Sequence, residues 1–193
     1  SIIRAYIEHH LHAVDPVTKL FTIGPMFRRE RPQKGRLRQF HQINVEVLGI
    51  EDPRLDAELL FMLNHLFMRL GITDLRLYIN SLGCPQCRPP FREAVLDFLK
   101  GKEAGLCDDC RRRLKKNPLR VFDCKVSQCQ AIVSDGPDLL RFLCAACTDH
   151  FERLKQYLNL LSISYEIDKK MVRGLDYYTK TTFEITAPEA GAQ

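Results

Sequence analysis

A chain of 193 residues can hold one or two domains. With 45% hydrophobic and 27% charged residues it has the balance of a soluble globular protein. A net charge of +5 permits contact with phosphates without demanding it, and no apolar run approaches the ~18 residues of a membrane span.

The opening SIIRAYIEHHLHAV lacks the basic-then-apolar layout of a secretory signal. It also lacks a methionine and reads like the middle of a helix, so the sequence is expected to be a piece of a longer chain. A turn at 13–16 follows. KLFTIGPMFRRE (19–30) reads as a strand, and Gly24-Pro25 within it predicts a bulge. RPQKGR holds Pro32 and Gly35 and reads as a loop. RQFHQINVEVLGI (38–50) is the return strand. PRLDAELLFMLNHLFMRLGI (53–72) has helical periodicity, with Leu59, Met62, Leu63, Leu66 and Phe67 on one face and Gly71 as C-cap. LRLYINSLG (75–83) is a further strand. Helical pieces are predicted near 89–100, 107–116, 138–143 and 148–161, after which SYEIDKKMVRGLDYYTKTTFEITAP alternates like strands. A strand-rich body, 1–81 and 164–193, is therefore expected to be interrupted by a helical insertion at 82–163.

The return strand holds a pattern that a plain surface strand does not need. Side chains alternate faces with period two, so Arg36, Arg38, Phe40, Gln42, Asn44 and Glu46 share one side. Ile43, Val45 and Val47 point to the other and can pack on a core. Arginine forks match phosphate, an aromatic ring can stack on a base, and a carboxylate can accept from a ligand N–H. The row suits a ligand that is anionic at one end and carries a flat ring. A solvated edge-strand face is the bland alternative.

All eight cysteines lie between 84 and 147, in the pairs Cys84/Cys87, Cys107/Cys110, Cys124/Cys129 and Cys144/Cys147. Three pairs are C-x2-C and one is C-x4-C. Without a secretory signal such thiols bind metal more often than they form disulfides. Eight thiolates make two tetrahedral Zn2+ sites, both structural because every position is filled. Iron–sulfur clusters and free buried thiols are the alternatives. A helix near 89–100 carries the chain roughly 18 Å outward. If the helix at 148–161 brings it back, an interleaved pairing is expected: Cys84/Cys87 with Cys124/Cys129, and Cys107/Cys110 with Cys144/Cys147. Sequential pairing is the other option. CRRRLKKNPLR (110–120) is a basic helix that reads equally as a phosphate contact or a solvated face. The histidines, His9, His10, His12, His41, His65 and His150, show no metal spacing and read as structural.

IGPMFRRERPQKGRLRQFHQINVEV (23–47) resembles motif 2 of class II aminoacyl-tRNA synthetases, in the form found in the histidyl-tRNA synthetase family. MVRGLDYYTKTTFEI (171–185) resembles that family's histidine-binding signature, and SIIRAYIEHH the helix after its RPEGT loop. The resemblance covers nearly the whole chain. It implies an α+β fold, the class II antiparallel sheet flanked by helices, here with a helical zinc-binding insertion. The implied activity is ATP-dependent charging of tRNA(His) with histidine through a histidyl-adenylate, with Mg2+, in a cytoplasmic homodimer that touches no membrane.

By the same resemblance Arg28 would contact the ATP α-phosphate, Glu30 would sit near the adenine, Arg36 would reach the distal phosphates and Phe40 would stack on adenine. Gln42 would bind the amino-acid end of histidine. Glu46 and Tyr178 would hold the two imidazole nitrogens. Arg173 would be a second catalytic arginine, in contact with histidine as well as the α-phosphate, and Asp176 and Tyr177 would shape the histidine pocket. The sequence stops before motif 3 and begins after motif 1, so the stretch alone is expected to be inactive. The rival readings are a zinc-dependent RNA-binding module and a non-charging paralogue that regulates histidine biosynthesis.

Overall fold

The computed structural model describes residues 2–29, 32, 36–171 and 177–187. Of these, residues 2–55 fall in one compact unit and those from 56 to 187 in a second.

The first unit holds helix α1 (Ile2–Glu8), a 3-10 turn at Leu11–Ala13, and a hairpin of β1 (Thr18–Phe27) and β2 (Gln39–Leu48). The strands pair antiparallel without a break, from Thr18 opposite Leu48 to Phe27 opposite Gln39. The bulge expected at Gly24-Pro25 is therefore absent. Arg28 N–H donates to the Arg38 carbonyl at 2.8 Å, which makes every second pair from there a hydrogen-bonded one. Pro25, opposite His41, falls on a non-bonded pair, so its missing N–H costs the ladder nothing. The even face carries Arg28, Phe40, Gln42, Asn44 and Glu46. The odd face, expected to pack on a core, leaves Phe21 70% and Ile23 67% exposed, with Phe27 and Ile43 exposed beside them.

Helix α2 (Pro53–Arg69) ends as predicted: Gly71 takes φ 76° and the Ile72 N–H donates to the Phe67 carbonyl at 3.0 Å. Its most buried side chains are Ala57 and Leu60, while Met62 of the expected face is exposed. Leu59, Leu63, Leu66 and Phe67 of that face are half-buried, and the core contact is made at the first turns, by Ala57 and Leu60.

In the second unit, β3 (Arg76–Ser81) is the centre of a three-stranded sheet, between β4 (Glu166–Ile167) and β5 (Thr181–Thr186). β5 is antiparallel to β3 but β4 is parallel, so the described strands form two sheets, one of them mixed, where one antiparallel sheet was expected. Leu77 and Ile79 of β3 pack with Ala57 and Leu60 of α2 and with Phe151, Leu154 and Leu158 of helix α6 (Ala145–Leu160). Those α6 positions follow the i, i+3, i+7 spacing of one helical face. A buried leucine in such a core is worth about 1.5–3 kcal/mol.

The cysteine segment contains α3 (Arg88–Leu99), α4 (Asp108–Lys116), α5 (Ser127–Val133) and 3-10 turns at Glu103–Gly105, Pro118–Val121 and Leu139–Phe142. It has its own core. Phe91, Val95 and Leu99 of α3 meet Leu106, Val121, Val133 and Leu139, with Cys110, Cys124 and Cys129 among them. α6 lies inside the range expected for the insertion, yet it shares its core with β3 and α2. Among the described residues no helix is long and apolar enough to cross a membrane.

Candidate functional site

The hairpin face brings several of the singled-out residues together. The Arg28 guanidinium carbon stands 3.6 Å from the centre of the Phe40 ring, a cation–π stack. The stack fixes the plane of the guanidinium. Its Nε is buried and has no hydrogen-bond partner among the described residues. A buried donor without an acceptor costs about 1–3 kcal/mol unless a ligand supplies one, and an anionic oxygen is the natural supplier. Thr22 Oγ1, on the same face, is likewise buried without a partner. Glu46 accepts from Asn44 Nδ2 at 3.0 Å, which orients the carboxylate. Sequence reasoning placed Asn44 in the row but gave it no role; its position two residues from Glu46 on one face was the available signal. Gln42 is exposed and sits opposite Gly24, where even an added Cβ would meet nothing within 4 Å. Arg36 lies exposed beyond the start of β2. Glu30, Arg173 and Asp176 lie outside the described residues.

In the second unit the rings of Tyr177 and Tyr178 stand perpendicular, 5.0 Å apart, just ahead of β5. Tyr177 is 74% exposed and Tyr178 less so. The segment that carries them is held at both ends by residues that the sequence reading passed over. Buried Asn80 donates Nδ2 to the Met171 carbonyl at 3.1 Å. Lys180 N–H donates to the Gly83 carbonyl at 2.8 Å, and Leu82 N–H donates to the Lys180 carbonyl at 2.6 Å. The polar Asn80 and Ser81 inside an otherwise apolar strand were the sign of this.

The eight cysteines form two groups: Cys84, Cys87, Cys144 and Cys147; and Cys107, Cys110, Cys124 and Cys129. Within each, all Sγ atoms lie within 4.8 Å of one another. The pairing is nested, neither interleaved nor sequential. The interleaved expectation took 148–161 as the return path. In fact α6 begins at Cys144 and lies along the sheet, so the chain is already back at the end of β3 when α6 starts.

Thiolates around a tetrahedral zinc at ~2.3 Å stand ~3.8 Å apart. The observed separations are 3.5 Å for Cys84 to Cys87, 3.9 Å for Cys84 to Cys144 and 3.8 Å for Cys107 to Cys124. Backbone N–H groups also point at sulfur, Cys144 to Cys87 Sγ and Cys107 to Cys129 Sγ, each at 3.2 Å. Cys87, Cys107 and Cys144 sit at the N-caps of α3, α4 and α6. The thiols divide sharply without a cation. Burial pushes Cys84 up, but the N–H groups of Cys87 and Gln86 and neighbouring thiols outweigh it and bring it to about 7. Cys107 also falls to about 7, chiefly through the Cys110 N–H. Burial pushes Cys110, Cys129 and Cys147 up. Four thiolates cannot share a buried site unless a cation neutralises them. The donor set and its dimensions fit a divalent, sulfur-preferring ion.

On α4, Arg111 pairs with Asp108 and Arg112 with Asp109, which offsets part of the charge of the basic helix. Arg112, Arg113, Lys115, Lys116 and Arg120 nonetheless line one open cleft of about 470 Å³.

A family model described as histidyl-tRNA synthetase matches residues 1–193. The chain belongs to the histidyl-tRNA synthetase family. It is 56% identical over 193 residues to a histidine–tRNA ligase of Desulfosudis oleivorans, covering 100% of this chain and 46% of that protein. A histidine–tRNA ligase of Geobacter metallireducens is 55% identical over all of this chain and 47% of its own length. The chain thus spans about half the length of the curated relatives it matches. The apo histidyl-tRNA synthetase of S. aureus superposes with a TM-score of 0.73 at 36% identity, over 95% of this chain and 43% of that one. A Bacillus halodurans structure named ATP phosphoribosyltransferase regulatory subunit/histidyl-tRNA synthetase gives 0.63 at 18% identity, over 98% of this chain and 53% of that one, a likeness of fold alone. The histidyl-tRNA synthetase family relationship covers both the hairpin and the Tyr177-Tyr178 segment.

Proposed function

We propose that this chain supplies catalytic-domain residues for ATP-dependent ligation of histidine to tRNA(His). The match of all 193 residues to the histidyl-tRNA synthetase family carries this reading. The reaction runs through a histidyl-adenylate. A carboxylate oxygen of histidine bonds to the ATP α-phosphorus, the bond to the bridging oxygen breaks, and pyrophosphate leaves with that electron pair. A terminal ribose hydroxyl of the tRNA then bonds to the acyl carbon of this mixed anhydride, losing its proton, and the bond to the phosphate oxygen breaks so that AMP leaves.

Arg28 serves the first step. Its orphaned Nε and fixed plane suit an oxygen on which negative charge grows. Arg28 covers one face of Phe40, and the ring stacks on adenine. Arg36 takes the distal phosphates and Glu30 the adenine region. Mg2+, when bound with ATP, neutralises phosphate charge. Gln42 takes the amino-acid end of histidine, Glu46 and Tyr178 the imidazole nitrogens, with Tyr177 and Asp176 shaping the pocket and Arg173 acting at the α-phosphate. A donor–acceptor pair facing imidazole rejects side chains that lack its pattern, by ~10⁴ in good cases.

Each cysteine cluster holds a structural zinc ion; the sulfur separations support this. Residues 1–81 and 164–193 serve the catalytic body and 82–163 the zinc-bearing insertion. The working protein is a cytoplasmic homodimer.

The test is histidine-dependent exchange of pyrophosphate into ATP, by the protein at the full length of its relatives. Wild type should exchange, and Arg28→Ala should slow exchange by about 10²–10³-fold. Exchange that ignores histidine would sink the reading.

A further inference from the structure

Of the two nested clusters, the outer one (Cys84, Cys87, Cys144 and Cys147) begins at the residue after the bracket that holds the Tyr177-Tyr178 segment, and the inner one is Cys107, Cys110, Cys124 and Cys129. Met171 and Lys180 flank residues 172–179. Asn80 ties down the first end through the Met171 carbonyl at 3.1 Å. The same amide accepts the Ser81 N–H at 2.9 Å, and Ser81 Oγ accepts the Gly83 N–H at 3.2 Å. Leu82 and Gly83 tie down the second end through both backbone groups of Lys180. Gly83 takes φ 62°, which glycine adopts freely, whereas Lys180 at φ 58° is in a conformation disfavoured for a residue with a Cβ and is held there by its two backbone bonds. Gly83 packs so tightly that an added Cβ would lie 2.7 Å from the Cys87 Cβ.

The next residue is Cys84. One backbone bond within the knuckle, Cys87 N–H to the Cys84 carbonyl at 3.0 Å, closes the turn. What lies across from it is the start of α6: Cys144 is 3.9 Å away at sulfur, and its N–H donates to Cys87 Sγ at 3.2 Å. α6 itself is anchored in the sheet core by Phe151, Leu154 and Leu158. A cation among the four outer sulfurs would therefore join a rigid helix to the loop on which the tyrosine segment hangs.

We propose that the outer four-thiolate site, loaded with zinc, is a positioning device for the histidine-binding segment, acting through Gly83 and Lys180 on Tyr177 and Tyr178. The inner site, lodged among Phe91, Val95, Leu106 and Val121, organises the insertion instead. This assignment rests on the reading above that the clusters hold zinc and that the tyrosines meet histidine. It differs in kind from a merely structural role, because it ties one particular metal to the affinity for one substrate.

Cys144→Ser is the informative variant, since Cys144 lies on neither bracket stretch and meets Cys84 and Cys87 at sulfur. Cys124→Ser removes an inner ligand for comparison. Both go into the protein at the full length of its relatives, with three readouts: zinc per chain, KM for histidine and for ATP in pyrophosphate exchange, and amide exchange at Leu82 and Lys180 with Ile79 as reference. Each variant should lose one of two zinc ions. Cys144→Ser should raise the histidine KM about tenfold while the ATP KM moves far less, because small misplacements of binding groups cost that much or more. Its Lys180 amide should exchange faster while Ile79 stays protected. Cys124→Ser should give a clearly smaller rise. Cys144→His, which offers zinc a nitrogen ligand, should recover both metal and histidine KM.

An outer zinc lost with histidine KM and Lys180 protection unchanged overturns the proposal, as does an equal effect from Cys124→Ser. If Ile79 loses protection in Cys144→Ser, the protein has unfolded and Cys144→His decides: metal regained without the histidine KM also overturns it. A wild type without zinc sinks the zinc reading and this one with it. A wild type with two zinc ions and no histidine-dependent exchange sinks the proposed activity, and with it the link to histidine.

Discussion

Asn44 shows how much a single amide can contribute. Glu46 is half-buried, and the Asn44 Nδ2 bond at 3.0 Å is what holds its carboxylate in one orientation. Asn44→Ala would free that carboxylate to rotate. A net hydrogen bond is worth about 1 kcal/mol, so the histidine KM in pyrophosphate exchange should rise roughly fivefold and the ATP KM should stay within about twofold. A rise in both by the same factor would place Asn44 elsewhere in the chemistry. At this scale the sequence was informative where alternation decides: period two put Phe40, Gln42, Asn44 and Glu46 on one face, and the register agrees. It was silent on partners. Nothing in a one-dimensional pattern says that Arg28 lies against Phe40, because they meet only when β1 and β2 pair.

At the level of elements, most strands and helices were legible and their connections were not. The α3 and α4 spans fall within a residue of expectation, since the apolar spacing of Phe91, Val95 and Leu99 behind first-turn prolines marks α3, and Asp108 and Asp109 in the first turn mark α4. α5 went unread because seven residues carry too little periodicity. The cysteines were legible as two groups of four, yet their nesting depends on where α6 packs, and that is decided by Phe151 and Leu154 meeting Ile79 far away in sequence. The two clusters should therefore respond differently to metal removal. Cys110, Cys124 and Cys129 are part of the same core as Val95 and Leu99. Stripping the protein with a strong chelator should strip amide protection from α3, α4 and α5 while β3 and α6 stay protected, because metal binding and folding are one equilibrium in such small cores. Hydrogen exchange read by mass spectrometry checks this; uniform loss across both regions would mean that the cores are not separate.

For the whole molecule, two cores in one chain imply two unfolding events. The sheet core rests on Leu60, Ile79, Leu154 and Leu158, and the helical core on Phe91, Val95, Leu99 and Val121. Leu154→Ala leaves a cavity beside the sheet and should cost about 2–5 kcal/mol there. In calorimetry of the metal-loaded protein it should lower one transition and leave the other in place, with zinc content unchanged. A single transition that shifts as one would show that the second unit unfolds cooperatively.

The chain leaves β3 at Cys84 and re-enters α6 at Cys144, 60 residues later in sequence and 3.9 Å away at sulfur. Geometrically that segment is a cassette with its two leads soldered together. Its length is invisible to the sheet, since a longer or shorter excursion closes on the same pair of points and adds only a slowly growing entropy. The port for a different helical module or a reporter domain lies between Cys87 and Asp138, because Leu140 packs on the sheet core and Asp138 pairs with Lys169 at 3.1 Å, so these stay with β3 and α6. The architecture separates what must stay fixed, the sheet and its tyrosine segment, from what is free to diversify.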